Sequence, residues 1–322
     1  MPRVMVTGAA GQLGSSLVHG LLKRGGWDVV GVDNLLTGRK ELLPENSKNF
    51  QFIQANCNNP LEISQVMLGH RFDYVFHYAA VVGVRRTLDD PISVLEDIRG
   101  FENILALCKN TGVSRVFFSS SSEVYGEPVE IPQREHQTPL NSRLPYAVVK
   151  NVGECYLRSF HQAFGLEYTV FRFFNTYGPN QSYDFVVPRF IINAIHGKDL
   201  TIYGDGSQSR TFCYVDDNVD ACLNCMEQDL FVNDTINIGS DQMFTVKELA
   251  EVVIAEVNST SKIQFVSALE EGDMRRRQPE SSKMQTALGR DLLPLRGGIQ
   301  RMLNDERFMK YASDTAARLG WV

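Results

Sequence analysis

The first half of the chain alternates short apolar runs with longer segments in which apolar residues recur at helical spacing. The short runs are rich in Val, Ile and Phe and predict strands. These lie at residues 3–6, 28–32, 52–54, 73–77 and 115–119. A helix is expected between the first two strands, from about Gly11 to Arg24. Strands separated by helices pair in parallel through right-handed crossovers, so the pattern predicts a Rossmann-type, doubly wound parallel α/β sheet with helices on both faces.

The pattern changes from about residue 175 onward. Loops rich in Gly, Pro, Asn and Asp now separate helices that are expected at 187–196 and 246–257. We therefore expect a Rossmann domain over residues 1–174 and a smaller C-terminal α/β lobe over residues 175–322. Further strands are predicted at 168–173 and 235–238, so the chain is expected to cross back into the first domain near 235–240.

Composition and charge narrow the function classes. The chain has 322 residues, 43% hydrophobic and 22% charged, which is typical of a globular protein of enzyme size. A formal net charge of -6 argues against nucleic-acid binding, because no excess of Lys and Arg exists to neutralise phosphates. No apolar run approaches the ~18 residues of a membrane helix, and no signal pattern opens the chain, so no membrane contact and a cytoplasmic location are expected.

The six cysteines are scattered among apolar neighbours and are expected to be reduced, buried thiols. Cys222 and Cys225 form a C-x-x-C within a helical pattern. No second Cys or His pair lies near them in the sequence, so no metal site is predicted.

A glycine-rich segment, Thr7-Gly-Ala-Ala-Gly-Gln-Leu-Gly14, follows the first predicted strand and opens the first helix. Gly8, Gly11 and Gly14 permit a tight turn and a close approach to a pyrophosphate, which the helix N-terminus attracts. Asp33 ends the second strand about 20 residues on, where a carboxylate binds a ribose diol and repels a 2′-phosphate. The pattern predicts NAD as cofactor, bound by the three glycines, Gln12, Leu13, Asp33 and Asn34.

Tyr146-Ala-Val-Val-Lys150 carries the strongest chemical signal. Residues four apart share one helix face, so this phenol and ammonium are expected to reach the same cleft. A phenol with an ordinary pKa near 10 is a poor base at neutral pH, and a nearby cation stabilises its ionised form. The strand at 115–119 ends in four serines, Ser119 to Ser122, followed by Glu123. Because ligands bind at the carboxyl ends of parallel strands, these groups are expected to face the cofactor.

With these motifs the chain resembles the extended short-chain dehydrogenase/reductase family, specifically its NAD-dependent nucleotide-sugar epimerases, dehydratases and decarboxylases. The resemblance covers essentially the whole chain, through TGAAGQLG, HYAA, SSSSEVYG, YAVVK, FRFFNTYGP, YGDGSQSRTFCYVDD and RRRQP. It implies that Tyr146 removes the proton of the sugar 4-hydroxyl, assisted by Ser121 and Lys150, with Glu123 as a further catalytic residue. Tyr146 and Lys150 are also expected to contact NAD. The resemblance also implies a homodimer that pairs through helices near 91–110 and 146–164.

The resemblance implies further binding residues. It places Ala79 and Ala80 beside the cofactor, together with Asn56, which stands where the family usually has an aspartate. It assigns the nucleoside-diphosphate sugar to Ser122, Asn175, Arg210 and Arg277. Arg277 belongs to the short basic cluster 275–277, so substrate binding would explain that cluster.

The motifs do not agree on the reaction that follows oxidation at C4. Ser121-Ser122-Glu123 resembles UDP-glucuronate decarboxylases and GDP-mannose 4,6-dehydratases, whereas the segment Val81 to Val84 and the pair Gly272-Asp273 resemble UDP-glucose 4-epimerases. The other 4,6-dehydratases carry an acid where this chain has Ser122. We rank 4-epimerisation first, decarboxylation second and dehydration third, with net C4 dehydrogenation also open. A non-catalytic NAD-binding regulatory protein is disfavoured, because it would need neither Tyr146 nor Lys150.

Overall fold

The computed structural model describes residues 1–81, 90–267 and 276–321. Its strands, in chain order, are β1 (Arg3–Thr7), β2 (Asp28–Asp33), β3 (Phe50–Gln54), β4 (Tyr74–His77), β5 (Arg115–Ser121), β6 (Glu167–Phe173), β7 (Thr176–Tyr177), β8 (Leu200–Tyr203), β9 (Ser209–Thr211), β10 (Cys213–Tyr214), β11 (Asp234–Ile238), β12 (Met243–Thr245) and β13 (Ile263–Val266).

The helices in the same residues are α1 (Gln12–Arg24), α2 (Pro60–Gly69), α3 (Pro91–Leu95), α4 (Asp97–Thr111), α5 (Pro145–Phe164), α6 (Val186–Ile195), α7 (Val215–Glu227), α8 (Val246–Val257), α9 (Ser282–Leu288), α10 (Leu295–Leu303) and α11 (Glu306–Arg318).

Seven strands form one parallel sheet in the order β3-β2-β1-β4-β5-β6-β11. The predicted doubly wound α/β fold is therefore confirmed. The first six strands follow the order of dinucleotide-binding sheets, and β11 extends the edge beside β6. The strand predictions for this sheet agree with the structure to within two residues at each end.

Alternating apolar positions along the strands build two cores, one on each face of the sheet. Val4 and Val6 of β1 pack on the face covered by α1 and α7, whereas Met5 packs on the face covered by α2, α4 and α5. All three are fully buried. Successive side chains of a strand point to opposite faces, so a buried parallel strand must be apolar throughout.

The segment after residue 175 adds three small sheets, β7 with β10, β8 with β13 and β9 with β12. Helices α7 and α9 pack together, and α7 also packs on α1 of the first half. Helix α8 begins at a capping box in which Thr245 and Glu248 bond each other's backbone N–H groups.

Five of the six cysteines are buried, but the expectation is wrong for Cys155, which is exposed on α5. An apolar sequence neighbourhood does not show which helix face a residue occupies. None of the described helices combines the length and apolarity needed to cross a membrane.

Candidate active site

A cavity of about 400 Å³ lies at the carboxyl ends of the central strands. Nearly every site residue that was predicted from the sequence lines this cavity. These are Gly8, Gly11, Gln12, Leu13, Gly14, Asp33, Asn34, Asn56, Ala79, Ala80, Ser121, Ser122, Glu123, Tyr146, Lys150, Asn175 and Arg277. Arg210 is not among the lining residues; it is half-buried on β9, where its Nη1 donates to the Ser209 carbonyl at 2.8 Å. Its role in substrate binding stays a prediction.

The glycine loop between β1 and α1 leaves no room for side chains. A Cβ on Gly14 would lie 2.0 Å from the carbonyl oxygen of Gly8. Gly8 has a φ of 67°, and a Cβ there would lie 2.7 Å from the backbone nitrogen of Ala79. Both positions therefore require glycine, and the loop packs directly against the segment that follows β4.

The loop fits the diphosphate of NAD. Helix α1 begins without a side-chain cap and without an acidic residue in its first turn. No side chain of the helix start therefore accepts hydrogen bonds from its terminal N–H groups or offsets their positive charge. Within the described residues, Nε2 of Gln12 is buried and has no hydrogen-bond partner. A bound diphosphate would accept hydrogen bonds from these donors.

Asp33 lies at the end of β2 and is buried. Its carboxylate accepts hydrogen bonds from the backbone N–H groups of Ala10 at 3.0 Å and Leu35 at 2.7 Å. It is thereby held against the glycine loop, where a ribose diol would bind. A Cβ on Gly38 would lie 2.7 Å from Oδ1 of Asp33, so the backbone of Gly38 packs closely against the carboxylate.

Thr7 and His77 organise the loop after β4, a role that the sequence did not reveal although both residues belong to quoted motifs. The Thr7 hydroxyl oxygen accepts from the N–H groups of Tyr78 at 3.1 Å and Ala79 at 3.2 Å. It lies 2.8 Å from Nδ1 of His77. Burial, with a contribution from the charge of Lys150, lowers the pKa of His77 to about 3. His77 is therefore neutral at physiological pH.

Lys150 lies on α5 with its ammonium almost fully buried. Nζ is 3.4 Å from the Ser119 hydroxyl, 5.0 Å from the centre of the Phe118 ring and 5.7 Å from that of Tyr146. Burial lowers the pKa of Lys150 to about 8, and the charge of Asp97 opposes this change. The side chain is thus a cation at neutral pH that is close to losing its proton.

Tyr146 begins the same helix beside Pro145, which fits the first helical turn because it needs no N–H there. Burial raises the pKa of Tyr146 well above its ordinary value, and the negative charge of Glu123 raises it further. A hydrogen bond with Ser121 and the charge of Arg277 act in the opposite direction. Without ligands the phenol is therefore protonated, and its activation requires additional positive charge in the cleft.

Asp97 is a cavity-lining residue that the sequence analysis missed. Its carboxylate accepts hydrogen bonds from the Val81 N–H at 2.8 Å and from Nδ2 of Asn58 at 3.2 Å, joining the loops after β3 and β4. No quoted motif contains this position, and only its place in the first turn of α4 would have indicated it.

Glu123 and Arg277 form an ion pair in the wall of the cavity. Oε1 of Glu123 lies 3.5 Å from Nη2 of Arg277, and the two side chains are 17% and 9% exposed. The ion pair brings together Glu123, which follows β5, and Arg277, which lies more than 150 residues later in the sequence. Asn175 lies on the same cavity with a φ of 24°, and its Nδ2 is buried without a partner in the described chain. A strained backbone and an unused donor are typical of a ligand-binding position.

Comparisons with known proteins identify the family of the chain. Residues 4–239 match the model of the NAD dependent epimerase/dehydratase family. UDP-glucuronic acid decarboxylase 3 of Arabidopsis thaliana is 35% identical over 317 residues, which cover 95% of this chain and 89% of that protein.

Two solved structures are also similar over nearly the whole chain. The UDP-glucose 4-epimerase of Thermotoga maritima, solved with UDP-glucose, has a TM-score of 0.88 and 31% identity, covering 96% of this chain and 99% of that one. The UDP-glucose 4-epimerase of Thermus thermophilus, in complex with NAD, has a TM-score of 0.86 and 28% identity, covering 95% and 99%. The chain therefore belongs to the NAD-dependent epimerase/dehydratase family and is an enzyme that uses NAD.

Proposed function

We propose that this enzyme oxidises a nucleoside-diphosphate hexuronate, with UDP-glucuronate as the first candidate, at C4 and then decarboxylates it. The observation that carries the proposal is the Glu123–Arg277 pair beside Tyr146. Exchange of configuration at C4 alone needs no carboxylate at this place. A buried arginine held by a carboxylate suits a substrate that is itself a carboxylate, because a guanidinium binds such groups with two parallel hydrogen bonds.

In the first step Tyr146 takes the proton of the sugar 4-hydroxyl. Ser121 holds that hydroxyl, and the Lys150 ammonium stabilises the phenolate that must form. When bound, NAD adds the positive charge of its nicotinamide, accepts the hydride from C4 and later returns it. Gly8, Gly11, Gly14, Gln12 and Asp33 are the residues that would hold it.

In the second step the 4-keto uronate loses CO2. It is a β-keto acid, so the C5–C6 bond breaks and its electron pair moves into the enolate formed by C5, C4 and O4. Arg277 binds the departing carboxylate, and Glu123 keeps the guanidinium oriented. Tyr146, now protonated, donates a hydrogen bond to the enolate oxygen while a proton from water adds at C5, which restores the C4 ketone. When hydride returns to C4, Tyr146 gives its proton to O4.

The second candidate is 4-epimerisation, which the sequence motifs ranked first. The likeness to the Thermotoga maritima UDP-glucose 4-epimerase supports it. The motifs that favoured it, Val81 to Val84 and Gly272-Asp273, lie outside the described residues except for Val81. Dehydration has less support, because a hydroxyl, Ser122, stands where the acid of other dehydratases is expected.

Product masses distinguish the candidates. The NAD-loaded protein is incubated separately with UDP-glucuronate and UDP-glucose, and each product is weighed by mass spectrometry. Loss of CO2 from UDP-glucuronate is the expected result. An isomer of unchanged mass from either sugar would instead support 4-epimerisation, and loss of water would support dehydration. No turnover of either sugar, with the parent indistinguishable from Tyr146→Phe, would contradict the proposal.

Arg277 has a matched control in its neighbour. We expect Arg277→Ala to abolish CO2 release from UDP-glucuronate, whereas Arg276→Ala should leave it nearly unchanged. Arg276 carries the same charge but is exposed, whereas Arg277 is buried at the cavity. Equal losses in the two variants would indicate a general effect of the basic cluster rather than binding by Arg277.

The proposal retains two organisational predictions. Residues 1–174 would form the NAD-binding domain and residues 175–322 the substrate-binding lobe. Two copies would pair through α3, α4 and α5, where the apolar side chains of Ile92, Leu95, Val148 and Phe164 are exposed. Sedimentation at micromolar concentration should give the mass of a dimer, and a monomer would contradict this pairing.

A further inference from the structure

A buried ion pair lies behind the cavity on the helix that carries Tyr146 and Lys150. Glu154 is on α5, four residues after Lys150, and is fully buried. Its Oε1 accepts from Nε of Arg172 at 2.9 Å, and its Oε2 accepts from Nη2 at 2.7 Å. Oε1 also accepts from the Ser120 hydroxyl at 2.6 Å. These contacts join α5, β6 and the end of β5 through one carboxylate.

The guanidinium of Arg172 extends the connection away from the helix. Its Nη1 donates to the Tyr125 hydroxyl at 2.9 Å and to the Glu135 carbonyl at 3.0 Å. The Tyr125 hydroxyl in turn donates to Oδ1 of Asn237 at 2.7 Å. The backbone N–H of Asn237 donates to Oε1 of Glu135 at 2.9 Å. Tyr125 ends the short turn that contains Glu123.

The connection ends at the segment that bears Arg277. Nδ2 of Asn237 donates to the Gln133 carbonyl at 2.9 Å. The Gln133 N–H donates to the Gln278 carbonyl at 2.7 Å, and the Gln133 carbonyl accepts from the Glu280 N–H at 2.8 Å. Two backbone bonds therefore hold the chain immediately after Arg277.

The closely fixed geometry of this buried ion pair and its hydrogen bonds is required neither to form the fold nor to carry out the chemistry. A buried ion pair is tolerated only when its remaining hydrogen-bonding positions are filled, which fixes its geometry closely. Glu154, Arg172 and Tyr125 do not line the cavity, so within the described residues they have no place in binding NAD or substrate directly. What they do connect is the three segments that present Tyr146, Glu123 and Arg277.

We infer that the Glu154–Arg172 network is a positioning device that sets the distance of Glu123 and Arg277 from Tyr146. The network consists of Ser120, Tyr125, Gln133, Glu135, Glu154, Arg172 and Asn237. The inference rests on the proposed function for the roles of Glu123 and Arg277. It predicts that damage to the network alters the substrate side of the cleft and spares the NAD side, because none of the network's hydrogen bonds described above reaches the glycine loop or Asp33.

The first test needs no substrate. Hydrogen–deuterium exchange is measured on the NAD-loaded parent, Tyr125→Phe and Tyr183→Phe. Tyr125→Phe removes one hydroxyl that both accepts from Arg172 and donates to Asn237. Tyr183 is the matched control, because its hydroxyl also donates to an asparagine Oδ1, that of Asn193, but neither residue belongs to the network.

Tyr125→Phe should speed exchange in peptides covering 276–281 and leave the peptides of the glycine loop unchanged, whereas Tyr183→Phe should leave both unchanged. Unaltered exchange at 276–281 would overturn the inference whatever the substrate is. If Tyr125→Phe does not fold, Asn237→Ser interrupts the same path one step nearer Arg277 and is read in the same way.

The second test uses the substrate that the proposed function identifies. Tyr125→Phe should raise KM for the nucleotide sugar by about tenfold while the Kd for NAD changes less than about twofold. Adding Tyr125→Phe to Arg277→Ala should cost little more than Arg277→Ala alone, because residues acting through one another are not additive. Additive losses, or equal weakening of NAD and sugar binding, would show a merely structural role. Absence of turnover in the parent would count against the proposed function, and the exchange result would still decide the network.

Discussion

Lys150 shows at the scale of a single residue how the active site opposes the stability of the fold. The residue is only 2% exposed, and burial lowers its pKa from 10.5 to about 8. The unfolded chain therefore binds this proton more tightly than the folded one between pH 8 and 10.5. The free energy of unfolding due to Lys150 consequently rises with pH across this window and is lowest below it.

We accordingly expect Lys150→Met to stabilise the protein at pH 7 while abolishing turnover. The difference between the two pKa values corresponds to roughly 3 kcal/mol at ~1.4 kcal/mol per pH unit. Urea unfolding of the NAD-free parent and variant at pH 7, 8 and 9 measures the difference, which should shrink as the pH rises above 8. A variant less stable than the parent at pH 7 would show that the ammonium contributes favourable contacts that exceed the cost of its burial.

Tyr146 gives the corresponding prediction for catalysis. Tyr146→Phe removes the group that accepts the 4-hydroxyl proton and leaves the glycine loop intact. Turnover should fall by about 10²–10⁴-fold, the usual contribution of a general base. Calorimetry should show a Kd for NAD close to that of the parent. A large loss of NAD affinity would instead show that the phenol acts mainly by holding the cofactor.

Sequence alone predicted the residues whose chemistry depends on fixed spacing along the chain. Tyr146 and Lys150 are one helical turn apart, and the three glycines belong to one loop. Thr7, His77 and Asp97 were missed as organising residues, because their roles arise from contacts between strand ends that are distant in sequence. The pairing of Glu123 with Arg277, which lie far apart along the chain, could not be read from spacing either.

At the scale of elements, the turn from β1 to α1 depends on backbone space. Gly14→Ala would place its Cβ 2.0 Å from the Gly8 carbonyl oxygen, so the loop must shift. Its N–H groups would then no longer point at the diphosphate of NAD. We expect a loss of NAD affinity of at least about tenfold, equivalent to ~1.4 kcal/mol. Titration calorimetry with NAD measures it.

Gly69→Ala is the matched control for that experiment. Gly69 lies in α2, and an added Cβ would meet no atom within 4 Å. The free energy of unfolding should stay the same or rise by up to ~1 kcal/mol, since alanine loses less backbone entropy than glycine in a helix. NAD affinity should not change. Equal loss of affinity in both variants would refute the role of backbone space at Gly14.

The regular elements were predictable because each buries one face or both. Strands β1 to β6 are long enough for their apolar runs to stand out, and α8 begins and ends at the expected residues, 246 and 257. Strands β7 and β10 have two residues each, which is too short to show a period. Their pairing is set by tertiary contacts around Asn175 and Cys213 rather than by a local pattern.

At the scale of the whole molecule, an acidic chain must bind two diphosphates, that of NAD and that of the proposed substrate. The net charge is -6, yet Lys150 and Arg277 are brought to one cavity. The described lining of the same cavity also carries four carboxylates, those of Asp33, Glu96, Asp97 and Glu123, so the cleft is not locally basic. Helix N–H groups at the start of α1, rather than a net positive charge, favour a diphosphate there.

NAD should stabilise the whole protein more than NADP does. A ligand at about 100 times its Kd adds ~2.7 kcal/mol to the free energy of unfolding. At equal concentration NADP should raise the melting temperature less, because its 2′-phosphate would meet the buried carboxylate of Asp33. Asp33→Ser should narrow the difference. Equal shifts with both cofactors in the parent would contradict the place assigned to Asp33.

The most direct test of the central claim follows the oxidation at C4 itself. The NAD-loaded parent is mixed rapidly with UDP-glucuronate, and the absorbance of reduced nicotinamide is recorded during the first turnover, with Tyr146→Phe measured alongside. We predict a transient rise in the parent, followed by release of CO2, and no rise in Tyr146→Phe. Conversion of the sugar without any reduced nicotinamide, or an equal rise in both proteins, would contradict oxidation at C4 by Tyr146.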